Sequence, residues 1–211
     1  IDTLLICILP ELDLKYQKLY AYLQDDVTKK SPTVDLVLHL LCESFDGRLK
    51  ARQAFSLEAP LIQYNLLRLY DDHTQRKTPL LAKFLQIDER TAAYLLGSDQ
   101  IDSHLLSFAH LHHPRSKLRD VILPDDTKHR LVQLADRLKE AAPICYFQGT
   151  YGVGKRTTAE AICYELGVPL LSIEVSRMLA ADTSLELSVP LIFREGQLQN
   201  AALYLNDYDT L

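Results

Sequence analysis

Three of the seven glycines in this chain fall in one short segment that could bind phosphate. Gly149 and Gly154 are the fixed glycines of the pattern G-x-x-x-x-G-K, which ends at Lys155. Glycines let the main chain curl closely with its N–H groups pointing inward, and such a curl binds anions. A lysine after the last glycine can reach the β- and γ-phosphates of a nucleotide. The candidate nucleotide-binding residues are Gly149, Thr150, Tyr151, Gly152, Val153, Gly154, Lys155, Arg156 and Thr157.

The residues on either side predict the structure that such a loop needs. Residues 143–148 form a short apolar run typical of a strand. After Lys155, apolar positions recur at helical spacing from Ala159 to Leu166, until Gly167. A strand, a glycine-rich turn and a helix in this order favour a phosphate loop. The alternative is a glycine-rich turn that precedes a lysine by chance.

Two positions depart from the pattern of a nucleotide hydrolase. Arg156 stands where a serine or threonine hydroxyl holds Mg²⁺, and Thr157 cannot replace it because one residue along a helix rotates the side chain by about 100°. After the apolar run 202–205, Asn206 takes the place of the first magnesium-binding acid and Asp207 that of the acid that activates water. Asp207 is therefore the candidate catalytic residue. We expect ATP or ADP to bind, Mg²⁺ to be weakly held and hydrolysis to be impaired.

The segments that must position this loop have the pattern of an α/β domain. Residues 168–175 predict a second strand, 189–200 a helix and 202–205 a third strand. Alternating strands and helices favour a parallel sheet that binds ligands at the carboxyl ends of its strands.

The first part of the chain has the pattern of short helices. Apolar residues repeat at helical spacing in 12–23, in 37–44 and in 59–70. Residues 78–86 predict one more short helix, which would form a helix-turn-helix with the next one. We expect Asp88 to cap that second helix, which Gly97 would end. The turn and core positions resemble those of winged-helix modules at Ala82, Ile87 and Leu95.

The second of these helices would be a poor reader of DNA. Its outward residues would be Glu89, Arg90 and Tyr94, and one cation beside Asp88 and Glu89 does not suit a major groove. We favour a structural or protein-binding module. A DNA-binding alternative would need the fold to gather the basic residues Arg48, Lys50, Arg52, Arg76, Lys77, Arg115, Lys117 and Arg119.

A group of histidines suggests either a metal site or a polar linker. His110, His112 and His113 lie together with His104 nearby, but no carboxylate or cysteine stands beside them at zinc-ligand spacing. Pro114 marks the end of a segment, so we favour the linker and expect no metal site. The predicted domains are a helical, winged-helix domain at 1–113, a linker at 114–124 and a partial phosphate-loop domain at 125–211.

Composition indicates an ordinary globular protein of 211 residues with a formal charge of −5. Residues 1–140 hold 19 basic and 20 acidic side chains, and residues 141–211 hold 4 and 8, which disfavours nucleic acid as the main partner. No apolar run is long enough for a membrane span, and no secretory signal begins the chain. Reduced, buried thiols and a cytoplasmic location are expected from four widely spaced cysteines in apolar surroundings, Cys7, Cys42, Cys145 and Cys163.

The phosphate loop, the strand at 170–175 and residues 194–207 together resemble an AAA-type ATPase. Residues 25–28 and 32–36 resemble the amino-terminal region of bacterial AAA proteins with a winged-helix domain, several of which are encoded with contractile, phage-tail-like injection systems. The resemblance covers most of the chain, although only the loop is a specific motif. It implies a mixed fold, with the winged-helix domain followed by part of an AAA-type domain. It also implies a longer protein, in which the strand with the sensor residue, the arginine finger, the helical lid and a second, intact ATPase domain follow.

Three functions are therefore open. The first is a nucleotide-binding regulatory module that serves assembly or remodelling of a macromolecular complex, with the downstream ATPase domain and other AAA subunits as partners. The second is a winged-helix DNA-binding regulator with an attached nucleotide switch. The third, a small kinase, is disfavoured because such enzymes place the loop near the start of their catalytic domain.

Overall fold

The computed structural model describes residues 1–71, 77–138, 144–181 and 184–210. The chain forms two compact units, unit 1 at Ile1–Gln100 and unit 2 at Ile101–Leu211. The helices are α1 (Asp2–Leu12), α2 (Lys15–Leu23), α3 (Val34–Leu41), α4 (Phe45–Ala51), α5 (Pro60–Gln63), α6 (Glu89–Leu95), α7 (Asp125–Leu138), α8 (Lys155–Leu166), α9 (Val175–Ala180) and α10 (Leu185–Leu198). The strands are β1 (Leu67–Tyr70), β2 (Phe84–Ile87), β3 (Ala109–His112), β4 (Leu170–Glu174) and β5 (Ala202–Asn206). Within the described ranges, no helix is long and apolar enough to cross a membrane.

Unit 1 packs its helices against a two-stranded antiparallel sheet. β1 and β2 pair from Leu67 opposite Ile87 to Tyr70 opposite Phe84. Leu85 and Ile87 are buried on β2 whereas Gln86 between them is exposed, so the strand turns one face toward the core. The buried core includes Cys7, Ile8, Val34, Val37, Leu38, Phe55, Leu67, Leu85, Ile87 and Ala92.

Two helices in unit 1 begin at residues whose side chains cap them, and one of the two is followed by a glycine. The Thr33 hydroxyl accepts a hydrogen bond from the Leu36 N–H at 3.3 Å where α3 begins. The Asp88 carboxylate accepts one from the Arg90 N–H at 3.1 Å where α6 begins. Gly97, just after α6, has φ of +86°, which glycine adopts without strain. The predicted cap at Asp88 and the predicted stop at Gly97 are confirmed.

One predicted helix in unit 1 is wrong, and another begins as predicted but ends early. Within 78–86 the chain forms one 3₁₀ turn, Leu80–Ala82, and then enters β2. Within 59–70 helix α5 ends at Gln63, Asn65 takes a left-handed φ of +51°, and β1 follows. In both segments the burial of alternate residues on a strand outweighed an apolar spacing that also fitted a helix. The predicted helix-turn-helix of 78–97 is therefore a strand followed by α6.

Unit 2 contains a three-stranded sheet in the order β3, β4, β5. β4 and β5 are parallel, with Leu170 opposite Ala202 and Glu174 opposite Asn206. β3 runs antiparallel on the other side of β4, with His112 opposite Leu170. The parallel pairing expected of the segments after the loop is confirmed for β4 and β5, and the antiparallel third strand was not foreseen.

Unit 2 contains two separate apolar clusters. One cluster unites β4 with α9 and α10 through Leu171, Ile173, Met178, Leu191 and Ile192. The other unites α7, α8 and the 3₁₀ turn Leu118–Asp120 through Leu118, Ala135, Ala161 and Ile162. The predicted linker 114–124 contains that 3₁₀ turn, whose Leu118 is buried, while the two compact units divide between Gln100 and Ile101.

Three predictions for unit 2 need correction. His110 and His112 belong to β3 and not to a linker, because backbone pairing with β4 takes up this segment. Residues 144–148 are not a strand, since no described strand pairs with them, and Pro143 lies outside the described residues. Cys145 in that segment is an exposed thiol, whereas Cys7 and Cys163 are buried as expected and Cys42 is half-buried.

Candidate functional site

The predicted phosphate loop forms a curled turn that leads directly into α8. Gly152 and Gly154 have φ of +84° and +86°, the left-handed conformation that other residues adopt only with strain. Gly149 is needed for a different reason, because a Cβ there would lie 2.8 Å from Cγ2 of Val153. Gly154 is the N-cap residue, and α8 begins at Lys155. The backbone angles at Gly152 and Gly154 and the small space at Gly149 therefore favour glycine at these three positions.

The backbone N–H groups of this loop have no acceptor among the described residues. From Gly149 to Thr157 none of them donates a hydrogen bond to a described atom, and the first that does is the Thr158 N–H, to the Gly154 carbonyl at 2.9 Å. The N–H groups of the first turn of α8 also carry the partial positive charge of the helix end. These donors are available to an anion.

The Lys155 side chain folds back over the loop that precedes it. Its ammonium donates to the carbonyl of Gly149 at 2.7 Å and to that of Thr150 at 3.3 Å. These bonds hold the positive charge beside the N–H groups of the loop. A phosphate at the loop would compete with the two carbonyls for the ammonium, and a charged acceptor makes the stronger hydrogen bond.

Arg156 is turned toward the sheet. Its Nε donates to the Glu160 carboxylate at 3.0 Å, and its Nη2 lies 2.7 Å from Nε2 of His112 on β3. The His112 nitrogen accepts this hydrogen bond because a guanidinium only donates. Burial, followed by the charge of Arg156, lowers the pKa of His112. Arg156 therefore connects α8 to β3, and its guanidinium is held by these partners.

The threonines after Lys155 differ in environment. Thr157 is exposed. Thr158 is buried, and its hydroxyl donates to the Gly154 carbonyl at 2.9 Å, which closes the first turn of α8. The hydroxyl that a magnesium ion would need next to Lys155 is absent because Arg156 stands there.

The carboxyl ends of β4 and β5 bring Glu174, Asn206 and Asp207 together. The Asn206 amide donates to the Glu174 carboxylate at 2.9 Å and lies 3.4 Å from that of Asp207. Asp207 is exposed and has a left-handed φ of +55°. An amide N–H₂ therefore faces the two carboxylates where a cation would need oxygen. These residues and Arg156 do not fit a magnesium shell.

A cavity of about 860 Å³ adjoins the loop within unit 2. Its walls come from one face of α7, the segment 145–148, and Val153, Lys155 and Thr158 of the loop and α8. This volume lies in the usual range for small-molecule sites. The sequence reasoning did not find it, because the helical spacing of α7 alone does not show that this face turns toward the loop.

A buried ion pair in unit 2 was also missed. The Arg194 guanidinium donates to the Asp102 carboxylate, and the two residues are only 2% and 4% exposed. Glu195, fully buried beside them, accepts from the Asp102 N–H at 3.3 Å and from the Gln199 amide at 3.0 Å. The signal in the sequence was two adjacent charges after the apolar run 191–193, within a helix. The pair ties α10, which precedes β5, to the segment before β3.

The histidines do not assemble into a metal site. His104 Nδ1 lies 2.8 Å from the Asp102 carboxylate, while His112 contacts Arg156. The His110 and His112 rings meet edge to face with centroids 6.4 Å apart. Across the described part of the chain, no group of three or more histidine, cysteine or acidic side chains could hold a metal ion.

Unit 1, with its short helices packed against the β1–β2 sheet, lies within a segment that matches a known protein family. Residues 1–109 match the family model described as "Winged helix domain, variant". The chain belongs to this winged-helix family. The match covers more than half of the chain and stops before the phosphate loop. No curated protein and no solved structure matches the chain.

In the winged-helix unit, α6 does not present the expected outward residues. Glu89 is exposed and Tyr94 is 40% exposed, but Arg90 is 6% exposed, lies over the Tyr94 ring, and donates to the Ser98 carbonyl at 3.2 Å. The prediction that Arg90 faces outward is therefore wrong. The single cation of this helix is held within the protein.

The basic residues of the DNA-binding alternative belong to different parts of the chain. Arg48 and Lys50 lie on α4 of the winged-helix unit, and Arg52 begins the 3₁₀ turn that follows it. Lys77 is also in unit 1, and Arg76 lies outside the described residues. Unit 2 contains the remaining three, Arg115, Lys117 and Arg119.

Proposed function

We propose that the chain is a nucleotide-binding regulatory module joined to a winged-helix unit, and that the phosphates of ATP or ADP bind at 149–157. The observation that carries this proposal is the set of loop N–H groups without described acceptors at the N-terminus of α8, beside the Lys155 ammonium. Fixed N–H donors, a helix end and a lysine together are the chemistry that recognises a phosphate chain. A catalytic role for Asp207 is disfavoured because its neighbour Asn206 is an amide, which is a weaker ligand for magnesium than the carboxylate expected there.

Titration of a fluorescent ADP or ATP analogue against the full chain tests this proposal. We expect saturable binding to the wild type that Lys155→Ala abolishes or weakens at least about tenfold, the equivalent of one lost charge-assisted hydrogen bond. Lys18→Ala, which removes an exposed lysine of α2, is the matched control and should bind as the wild type does. Equal or undetectable binding by the wild type and Lys155→Ala, with unchanged helical circular dichroism, would remove the proposal.

We also propose that bound nucleotide is turned over slowly or not at all, because the donor set around Arg156, Asn206 and Asp207 does not fit magnesium-assisted hydrolysis. Phosphate release from saturating ATP should not exceed the level given by Lys155→Ala. Release well above that level would contradict this part of the proposal.

The resemblance to AAA proteins supports a further proposal about partners. The module would work with an adjoining ATPase domain and other subunits of an AAA-type assembly, in which bound nucleotide stabilises one arrangement. Analytical ultracentrifugation of the chain mixed with a separately expressed AAA-type ATPase domain, with and without ATP, measures whether nucleotide changes their association. Association that ATP and ADP leave unchanged would oppose a regulatory role for the nucleotide.

Family membership favours one second candidate, a winged-helix DNA-binding regulator. Arg48, Lys50 and Arg52 lie close in sequence on unit 1 and could contact phosphates. Duplex binding measured across salt concentrations decides between the candidates, since each neutralised phosphate adds about 0.9 to the slope of log affinity against log salt. A slope near three that falls in Arg48→Gln/Lys50→Gln/Arg52→Gln would support DNA binding, whereas no binding at low salt would exclude it.

A further inference from the structure

The cavity beside the loop is lined by cations without any acid among its described lining residues. Arg130 and Arg137 reach it from α7, and Lys155 reaches it from the loop. Neither arginine forms an ion pair with any residue in the described ranges. A concentration of three positive charges in a chain of net charge −5 is the electrostatic signature of an anionic ligand.

The two arginines lie on one face of α7, separate from the donors of the loop. They are seven residues apart on α7 and share a face, so their Cα atoms are separated by about 10 Å along the helix axis. The loop and Lys155 already supply donors for the phosphates at one end of the ligand. The two guanidinium groups are therefore available to a second anionic group of the same ligand.

The wall between the two arginines is apolar. Leu131 and Leu134 lie between them on α7, and Phe147 lines the cavity as well. Apolar and aromatic side chains suit a flat heterocycle such as a nucleoside base, which packs on rings and on guanidinium planes. The lining thus combines a phosphate end, an apolar middle and additional cations.

We propose that this cavity binds a nucleotide with a second phosphate on its ribose, in addition to the 5′-phosphate chain held by the loop. Arg130 and Arg137 supply the contact to the ribose phosphate, and Leu131, Leu134 and Phe147 pack against the base. The inference rests on the proposed function, since it places the 5′-phosphates at Lys155. Arginine suits the second phosphate because its planar fork donates two parallel hydrogen bonds to one phosphate.

Calorimetric titration of the full chain with ADP and with ADP phosphorylated at the ribose 3′- or 2′-hydroxyl tests the inference. We expect at least one ribose-phosphorylated form to bind about tenfold or more tightly than ADP, the gain of one charge-assisted contact. The gain should disappear in Arg130→Gln/Arg137→Gln, so that this variant binds ADP and both ribose-phosphorylated forms with equal affinity. The matched control Arg115→Gln/Arg119→Gln removes the same charge from exposed residues outside the cavity and should keep the gain.

The outcomes separate this inference from the proposed function. If ADP binds in a Lys155-dependent manner but neither ribose phosphate improves affinity, the inference is overturned and the nucleotide-binding proposal stands. If the gain persists in Arg130→Gln/Arg137→Gln, the second phosphate lies elsewhere and the inference is likewise overturned. If neither ADP nor its phosphorylated forms bind, both proposals fail together.

Discussion

Replacing Arg194 by leucine removes the positive partner of a buried ion pair and leaves two carboxylates inside unit 2. Asp102 would lose the guanidinium, and Glu195 beside it is fully buried. Removing one partner of such a pair costs about 3–5 kcal/mol of folding free energy, because the remaining charge loses its buried cation and keeps only the contacts from His104. An exposed pair contributes only about 0–1 kcal/mol. Arg119→Leu, which breaks an exposed contact to Asp120 at 3.7 Å, is the matched control.

Urea unfolding followed by circular dichroism at 222 nm measures both variants, since the chain has no tryptophan for fluorescence. We expect Arg194→Leu to lower the unfolding free energy by about 3–5 kcal/mol and Arg119→Leu by less than about 1 kcal/mol. Adding Asp102→Asn to Arg194→Leu should restore part of the loss, because one stranded charge is then removed. A loss for Arg194→Leu no larger than for Arg119→Leu would refute the assignment of this pair as a buried structural contact.

Three further results are expected. Burial and the charge of a neighbouring arginine lower the pKa of His112, so NMR titration should give a value below 6.5, and its contribution to stability should be complete above pH 6.5 and decline below it. A pKa of His112 at or above 6.5 would contradict its contact with the Arg156 guanidinium. Cys145 should react with a thiol reagent well before Cys7 and Cys163, whose pKa values burial raises to about 12 and about 11, and Cys145→Ser should abolish the fast phase. Gly154→Ala should cost about 1–2 kcal/mol in urea unfolding, because φ of +86° strains any residue with a Cβ; no cost would mean that the loop is not left-handed there.

Asp102 gives the first of these experiments a pH dependence. Burial raises its pKa, but hydrogen bonds from His104 and the charge of Arg194 outweigh burial, and the pKa is lowered from its ordinary 3.8. The contribution to stability is therefore complete above that value and is lost as the pH falls through the lowered pKa. The difference in unfolding free energy between the wild type and Arg194→Leu should therefore shrink as the pH falls below 3.8, and a difference that stays constant there would argue against the pair.

Local signals in the sequence predicted the elements that short-range chemistry decides. The cap at Asp88, the stop at Gly97, α8 after the glycine turn and the parallel pair β4–β5 all follow from residue types at fixed spacings. The prediction was wrong where an apolar run fitted both the helical and the strand spacing, as at 78–86. Only pairing with the strand β1 selects the extended form there.

Long-range contacts could not be predicted in the same way. Pairing of β3 with β4 joins residues about 60 positions apart, and the Asp102–Arg194 pair joins residues 92 positions apart. The contact of Arg156 with His112 likewise depends on how α8 lies on the sheet. The sequence thus predicted the candidate loop itself, whereas the neighbours that turn Arg156 away from it and the cavity beside it depend on tertiary packing.

The most direct test of the phosphate loop is a ¹H–¹⁵N NMR titration of the full chain with ADP. We expect the amide signals of Gly152, Gly154 and Lys155 to shift most, because hydrogen bonding of these N–H groups to phosphate changes their shielding, and Lys155→Ala should diminish the shifts at equal ADP. Saturation with ADP that leaves these amides unmoved, or shifts confined to the winged-helix unit, would contradict the account.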